Sequence, residues 1–170
     1  DESVRAVLHD AERNDWLLVP DTSDNPGADV PRWVMAGYGL IVDELYERPD
    51  SACPPTHIFV PGGVGGLAGA VIARSWQHDG PSKPRVVVVE PALACCLLES
   101  TRAGKLVDVP VDEESLMAGL SCGEPSRLAW PLLEVGISAG VAVPEQMVAP
   151  AMRAMAAGEW GSQPVVAGES

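Results

Sequence analysis

The sequence predicts an α/β fold, a mostly parallel sheet flanked by helices, and two stretches carry that reading. Residues 56–78, THIFVPGGVGGLAGAVIARSWQH, run from a short apolar strand through a glycine-rich turn into a helix. Residues 85–90, RVVVVE, form the clearest buried strand of the chain, because an unbroken β-branched run suits a strand covered on both faces. In the first stretch Ile58, Phe59 and Val60 suit the strand, while Leu67, Val71 and Ile72 recur at helical spacing. Between them Gly62, Gly63, Gly65 and Gly66 surround Val64. Such a turn leaves successive N–H groups uncovered and aims them, with the positive end of a helix, at one point. That is a seat for a phosphate.

The other elements follow in order. A helix is predicted over residues 3–13, with Val4, Val7, Leu8 and Ala11 as its apolar stripe. Trp16-Leu17-Leu18-Val19 reads as a strand that ends at Pro20-Asp21-Thr22, and residues 23–30 form a turn-rich loop around Asn25-Pro26-Gly27. Pro31 opens a long amphipathic helix to about Arg48, with Trp33, Val34, Ile41 and Leu45 facing the core. Residues 49–55 and 79–84 are surface connections. Past the valine strand, helices are expected over 92–102, 113–118, 125–135 and 144–157, and short strands near 106–109, 139–143 and 164–167. Ligands of such sheets gather at the carboxyl ends of the strands. That rule selects the glycine turn after Val60 and Asp21 after Val19.

Composition narrows the partners. The 170-residue chain has 46% hydrophobic residues, which argues for a packed globular protein, and a formal net charge of −13 from 24 acids and 11 bases. Nucleic acid and anionic membranes call for clustered Lys and Arg, so both are expected to be absent as partners. No run is long and apolar enough to span a bilayer and no leading segment resembles a signal peptide. Cys53, Cys95, Cys96 and Cys122 lack zinc-ligand spacing, and His9, His57 and His78 do not cluster with them. The expectation is a cytoplasmic protein with buried thiols and no metal.

The glycines have two ligand readings and one without a ligand. Gly63-x-Gly65-x-x-Ala68, followed by Glu90 at the end of the next strand, fits the loose dinucleotide fingerprint, in which the acid would hold a ribose. A cup for the phosphate of pyridoxal 5'-phosphate needs the same amides and no acidic partner. A tight strand-to-helix turn needs no ligand at all. Spacing does not separate the three.

The rest of the chain bears on the choice. Trp16-Leu17-Leu18-Val19-Pro20-Asp21-Thr22, Pro31-Arg32-Trp33-Val34-Met35-Ala36-Gly37-Tyr38, the glycine turn, Glu90-Pro91 and Cys96-Leu97 with Ser100 and Ala103-Gly104 occur in that order. Met117-Ala118-Gly119-Leu120-Ser121-Cys122-Gly123-Glu124-Pro125, Leu128-Ala129-Trp130 and Gly168-Glu169-Ser170 complete the series. In these motifs the chain resembles diaminopropionate ammonia-lyase, a pyridoxal-phosphate enzyme of the tryptophan-synthase-β, or type II, fold. Gly119-Leu120-x-Cys122-Gly123-Glu124-Pro125 is its most specific segment.

The resemblance implies a partial type II fold in which residues 1–30 end a smaller domain and residues 31–170 form most of a larger one. It implies that Gly62, Gly63, Val64, Gly65 and Gly66 receive the cofactor phosphate, with Ser170 near the ring nitrogen. It further implies a small amino-acid substrate, 2,3-diaminopropionate, converted to pyruvate and two ammonia molecules, and a homodimer. A lysine and an aspartate then act as bases on opposite faces, so that D and L isomers both react. Asp21 matches the aspartate, and a carboxylate facing a cleft at a strand end can be desolvated into a useful base. The plainer role for Asp21 is to cap the turn that follows it.

Lys83 and Lys105 are the only lysines, and neither has the apolar setting of a Schiff-base lysine. The family's lysine is expected upstream of Asp1, so this chain alone is expected to be inactive. Ser23-Asp24-Asn25-Pro26-Gly27 stands where the family carries an aromatic stretch, which bears on the substrate. The resemblance also suggests that Cys96 and Cys122 approach one another, as a disulfide or as two thiols. Trp16, Trp33, Trp130 and Tyr38 are expected in helix packing, and Glu124 as a loop-orienting or capping residue. A nucleotide-binding module and a non-catalytic protein that keeps the fold are the alternatives.

Overall fold

The structure is a computed structural model that describes residues 2–23, 25, 27–47, 54–78, 83–159 and 163–170. Three strands, β1 (His57–Pro61), β2 (Arg85–Pro91) and β3 (Ile137–Val143), pair in parallel in that order. The valine run is the central strand, with Val86, Val87 and Val88 buried. Parallel neighbours need crossover connections. The helix α4 (Gly66–Gln77) joins β1 to β2, and α5 (Cys96–Ala103) and α6 (Trp130–Gly136) lie between β2 and β3. Against α4 pack α6 and two preceding helices, α2 (Asp29–Tyr38) and α3 (Leu40–Glu47), while α5 packs on β2 and β3. Two further helices, α1 (Glu2–Asn14) and α7 (Val148–Ala157), stand at either end of the chain.

The core gathers Val60, Val86 and Val88 from the sheet with Ala68, Val71, Ile72, Leu97 and Leu133 from the helices. Ile72, Leu97 and Leu133 are fully enclosed, each contributing roughly 1.5–3 kcal/mol over an exposed position. The expected single helix over 31–48 is two helices that meet at Gly39, whose N–H reaches back to Ala36 O. A Cβ at 39 would lie 3.0 Å from Ala36 O and 3.5 Å from the Arg74 side chain. The buried positions are Pro31, Met35 and Val42, while Trp33 and Ile41 face solvent. Apolar residues occur all round this segment, so its pattern did not single out one face.

An ion pair locks α3 to α4. The Asp43 carboxylate accepts from Arg74 Nε at 2.6 Å and Nη2 at 2.9 Å, and His78 Nε2 lies 2.9 Å from the same carboxylate. The Tyr46 and His78 rings stack at 4.3 Å. Arg74, the larger influence, and His78 hold the Asp43 carboxyl below the usual carboxylate range.

Several expected elements are not formed. Residues 16–19 are extended but make no strand, and Trp16, Leu17 and Val19 are exposed. No neighbouring strand supplies them a ladder, and Trp16 N–H turns back to Ala11 O. The same holds near 106–109 and 164–167, where single bonds such as Val109 N–H to Gly123 O replace a ladder. Residues 113–118 form a loop that leads into a short 3-10 turn, Ala118–Leu120. The stripe of α1 is exposed at Val7 and Leu8. Of the tryptophans, Trp130 and also Tyr38 pack against the core. Among the described residues no helix is long and apolar enough to cross a membrane, and no cluster of three metal-ligating side chains exists.

Candidate functional site

The glycine turn is packed into the protein, with Gly62, Gly65 and Gly66 buried and Gly63 and Val64 half-buried. Gly62 N–H donates to Val89 O at 2.8 Å, which continues the pairing of β1 with β2. A Cβ at 62 would stand 2.5 Å from Val88 Cγ1 and 2.9 Å from Glu90 Cγ, so only glycine fits. Gly65 has φ +100°, and a Cβ there would meet Leu133 Cδ1 at 2.6 Å. Three carbonyls of the turn accept hydrogen bonds. Cys96 Sγ donates to Gly63 O at 3.5 Å, Ser126 N–H to Val64 O at 2.7 Å and Gly69 N–H to Gly65 O at 2.9 Å.

The amides are the reverse. Among the described residues those of Gly63, Val64 and Gly65 donate to no backbone carbonyl, and Gly66 opens α4, whose first-turn amides have no intrahelical acceptor. A turn with three acceptors occupied and its donors unpaired among the described residues suits an anion, and the dipole of the twelve-residue helix that follows it adds to this. The phosphate of a cofactor fits there. Gly62 takes a different part from the one the sequence suggested: its amide belongs to the sheet, and what it gives the site is room.

Other motifs reach the turn. A Cβ at 63 would lie 3.4 Å from Gly119 O and 3.6 Å from Cys122 Sγ, so the loop of residues 115–122 forms its wall. Ser170 lies against that wall, with its Oγ 3.4 Å from where a Cβ of Gly119 would be. Its hydroxyl donates to Glu169 Oε1 at 3.2 Å and is exposed. Asp21 O would be 3.6 Å from a Cβ at Gly66. Thr22, Val64, Glu124, Pro125 and Ser126 line a cleft of about 330 Å³. The Asp21-Thr22 motif is therefore delivered to the turn by coil rather than by a strand end, and the Asp21 side chain is exposed rather than desolvated.

Capping does not occupy Asp21 either. Asn25 N–H donates to Ser23 Oγ at 3.1 Å and Gly27 N–H to Asn25 Oδ1 at 2.9 Å, so Ser23 and Asn25 hold the following turn. Among the described residues the Asp21 carboxylate accepts no hydrogen bond. Glu124 is exposed and caps no helix, since α6 begins only at Trp130.

Glu90 is fully buried and bonded at both oxygens. Oε1 accepts from Leu97 N–H and Oε2 from Leu98 N–H, each at 2.8 Å, which caps the start of α5. A ribose hydroxyl would find no free oxygen there, which removes the support for a dinucleotide site. Burial, opposed by those two bonds, pushes its carboxyl up from 4.5 to about 7. Because the folded value lies above the unfolded one, the contribution of Glu90 is fully present below pH 4.5 and is lost as pH rises through 7. Relative to Glu90→Gln, the native protein is expected to lose about 3 kcal/mol of stability across that window. Melting temperatures of both proteins from pH 4 to 8 measure it, and parallel curves would refute it.

Cys96 and Cys122 flank the same turn. Cys95, Cys96 and Cys122 are free thiols, and Cys53 lies outside the described residues. Burial, then the Glu90 charge, pushes Cys96 up to about 12, and burial, then the Asp21 charge, raises Cys122. Both stay protonated at neutral pH. Lys83 and Lys105 are exposed and remote in topology. Lys83 precedes β2 and bonds His78 O, at the amino ends of the strands and so opposite the turn, and Lys105 follows the far end of α5. Sequence reasoning missed Ser126, which holds Val64 through its backbone; that bond leaves no side-chain signal beyond a buried serine beside Pro125.

Fold and site together define an α/β protein with an anion seat of main-chain amides at the start of a helix. Residues 1–160 match the family described as Pyridoxal-phosphate dependent enzyme, and the chain belongs to that family. Diaminopropionate ammonia-lyase of Escherichia coli strain K12 is 32% identical over 172 residues, covering 100% of this chain and 43% of that enzyme. A crystal structure of the Escherichia coli diaminopropionate ammonia-lyase with an aminoacrylate-PLP azomethine reaction intermediate superposes with a TM-score of 0.83 at 29% identity, over 99% of this chain and 43% of that one. L-threonine ammonia-lyase of Geobacter sulfurreducens is 36% identical over 156 residues, 91% of this chain and 35% of that enzyme. The chain thus spans less than half the length of these relatives.

Proposed function

We propose that the protein is part of a pyridoxal-phosphate-dependent carbon–nitrogen lyase that converts 2,3-diaminopropionate, with water, to pyruvate and two ammonia molecules. The observation that carries this reading is the polarity of the glycine turn: the carbonyls of Gly63, Val64 and Gly65 accept hydrogen bonds, and the amides of Gly63, Val64, Gly65 and Gly66 donate none among the described residues. Those residues hold the cofactor phosphate, and Ser170 approaches the ring. Bound pyridoxal phosphate supplies the electron sink for the carbanion left when the α-proton is removed. Asp21, exposed beside the turn and engaged in no capping bond, takes that proton on one face. Residues 1–30 then close a smaller domain and 31–170 most of a larger one, in a cytoplasmic homodimer.

A threonine-like hydroxy amino acid is the second substrate reading. The likeness to L-threonine ammonia-lyase favours it, as does the polar segment Ser23-Asp24-Asn25-Pro26-Gly27 in place of the family's aromatic stretch.

Equilibrium dialysis against pyridoxal phosphate and NAD tests the cofactor assignment. The expected result is binding of pyridoxal phosphate that millimolar inorganic phosphate displaces, and none of NAD. Borohydride treatment should leave Lys83 and Lys105 unmodified. NAD binding that Glu90→Ala abolishes, or a reduced cofactor adduct on either lysine, would overturn the assignment.

A further inference from the structure

Glu145, after β3 and far from the glycine turn in sequence, is engaged by the loop that walls that turn. Its Oε1 accepts from Ser115 Oγ at 2.7 Å and its Oε2 from Leu116 N–H at 2.6 Å. Ser115 is buried, and its Oγ also accepts from Met117 N–H at 3.1 Å, while Ser115 N–H donates to Ser121 Oγ at 3.1 Å. One carboxylate therefore anchors a loop whose two ends, at Ser115 and Ser121, are tied together. Inside the loop, Leu120 N–H donates to Met117 O, Ser121 N–H to Ala118 O and Cys122 N–H to Leu120 O, which makes it a stiff unit. Its tip is the wall already described: Gly119 O and Cys122 Sγ against Gly63, and Gly119 against Ser170.

We infer that Glu145 is a positioning residue for the cofactor site, holding the 115–122 loop so that Gly119 and Cys122 close one side of the phosphate turn and Ser170 rests against Gly119. The claim rests on the cofactor reading above. Among the described residues Glu145 makes no hydrogen bond to the turn or to Asp21, and it acts through the loop. It does so because a carboxylate accepts two bonds at once, from a hydroxyl and from an amide, and charge makes both stronger than neutral ones. An alanine leaves Leu116 N–H and Ser115 Oγ without their acceptor. A glutamine keeps an acceptor for Leu116 N–H and can donate its amide N–H to Ser115 Oγ.

The test compares Glu145→Ala, Glu145→Gln and Ser115→Ala in the full chain, with pyridoxal phosphate affinity and amide hydrogen exchange over residues 115–122 as readouts. Glu145→Ala is expected to weaken cofactor binding about tenfold and to speed exchange in the loop, whereas Glu145→Gln stays within about threefold. Ser115→Ala, which removes one of the two bonds, should fall between them and serves if Glu145→Ala does not fold. Unchanged affinity in Glu145→Ala, or in Ser115→Ala where that variant must stand in, overturns the inference. Equal losses in the alanine and glutamine variants also overturn it. If the native protein binds no pyridoxal phosphate, the functional reading fails instead, and exchange alone judges the anchoring of the loop.

Discussion

Alanine in place of Gly65 is expected to unseat the glycine turn and with it all cofactor binding. Two costs combine. A side chain at φ +100° is strained by about 1–3 kcal/mol, whatever the space around it. The new Cβ would also sit 2.6 Å from Leu133 Cδ1, and Leu133 is fully enclosed, so the overlap forces the core apart for about another 1–3 kcal/mol. Together these are a large share of the stability of a domain this size. The expected readouts are a fall in melting temperature of several degrees and no measurable pyridoxal phosphate binding. Gly104→Ala is the control, because φ is +63° there too but nothing lies within 4 Å. Gly104→Ala should cost only the strain and keep binding. A Gly65→Ala protein that binds cofactor like the native one would remove the turn from the site.

The second large effect concerns Asp21. In the assembled enzyme Asp21→Asn should abolish turnover of the D isomer of the substrate and leave cofactor binding intact. An amide has the size of the carboxylate but cannot accept a proton, so the loss isolates the chemistry from the shape. Structural damage is expected to be small, since the carboxylate is exposed, caps nothing among the described residues, and the turn after it stands on Ser23 and Asn25. Steady-state rates with separate D and L substrates decide the matter. Retained D-isomer turnover would show that another group is the base on that face.

Elements with a strong local cause were legible in the sequence. The valine run could only be a covered strand, and it is the central one. The glycine turn has the strand before it and the helix after it that its periodicity implied. Legibility failed where the outcome depended on a distant neighbour. Trp16-Leu17-Leu18-Val19 has strand composition but no strand beside it, so it remains coil. Residues 31–48 carry apolar side chains on every face, and contact with α4 decided that Met35 and Val42 turn inward. In the site, the glycines announced themselves because only they tolerate such geometry. Ser126 acts through its main chain, and Glu145 lies 30 positions from the serine it holds. Neither leaves a pattern in sequence. Glu90 shows the converse error: its spacing after the turn suggested a ribose contact, yet the start of α5 claims both of its oxygens.

In the proposed site, the turn at residues 62–66 draws a negative group chiefly with peptide dipoles. Main-chain amides carry no formal charge for dissolved salt to screen, unlike lysines or arginines. The turn's grip comes from orientation at short range, and it gives no welcome to ammonium groups or metal cations, which need the lone pairs already turned away toward Cys96, Ser126 and Gly69. In a polypeptide carrying thirteen excess negative charges, main-chain donors thereby offer an anion a place to rest, in a cleft that Val64 shares with the basic side chain of Arg127.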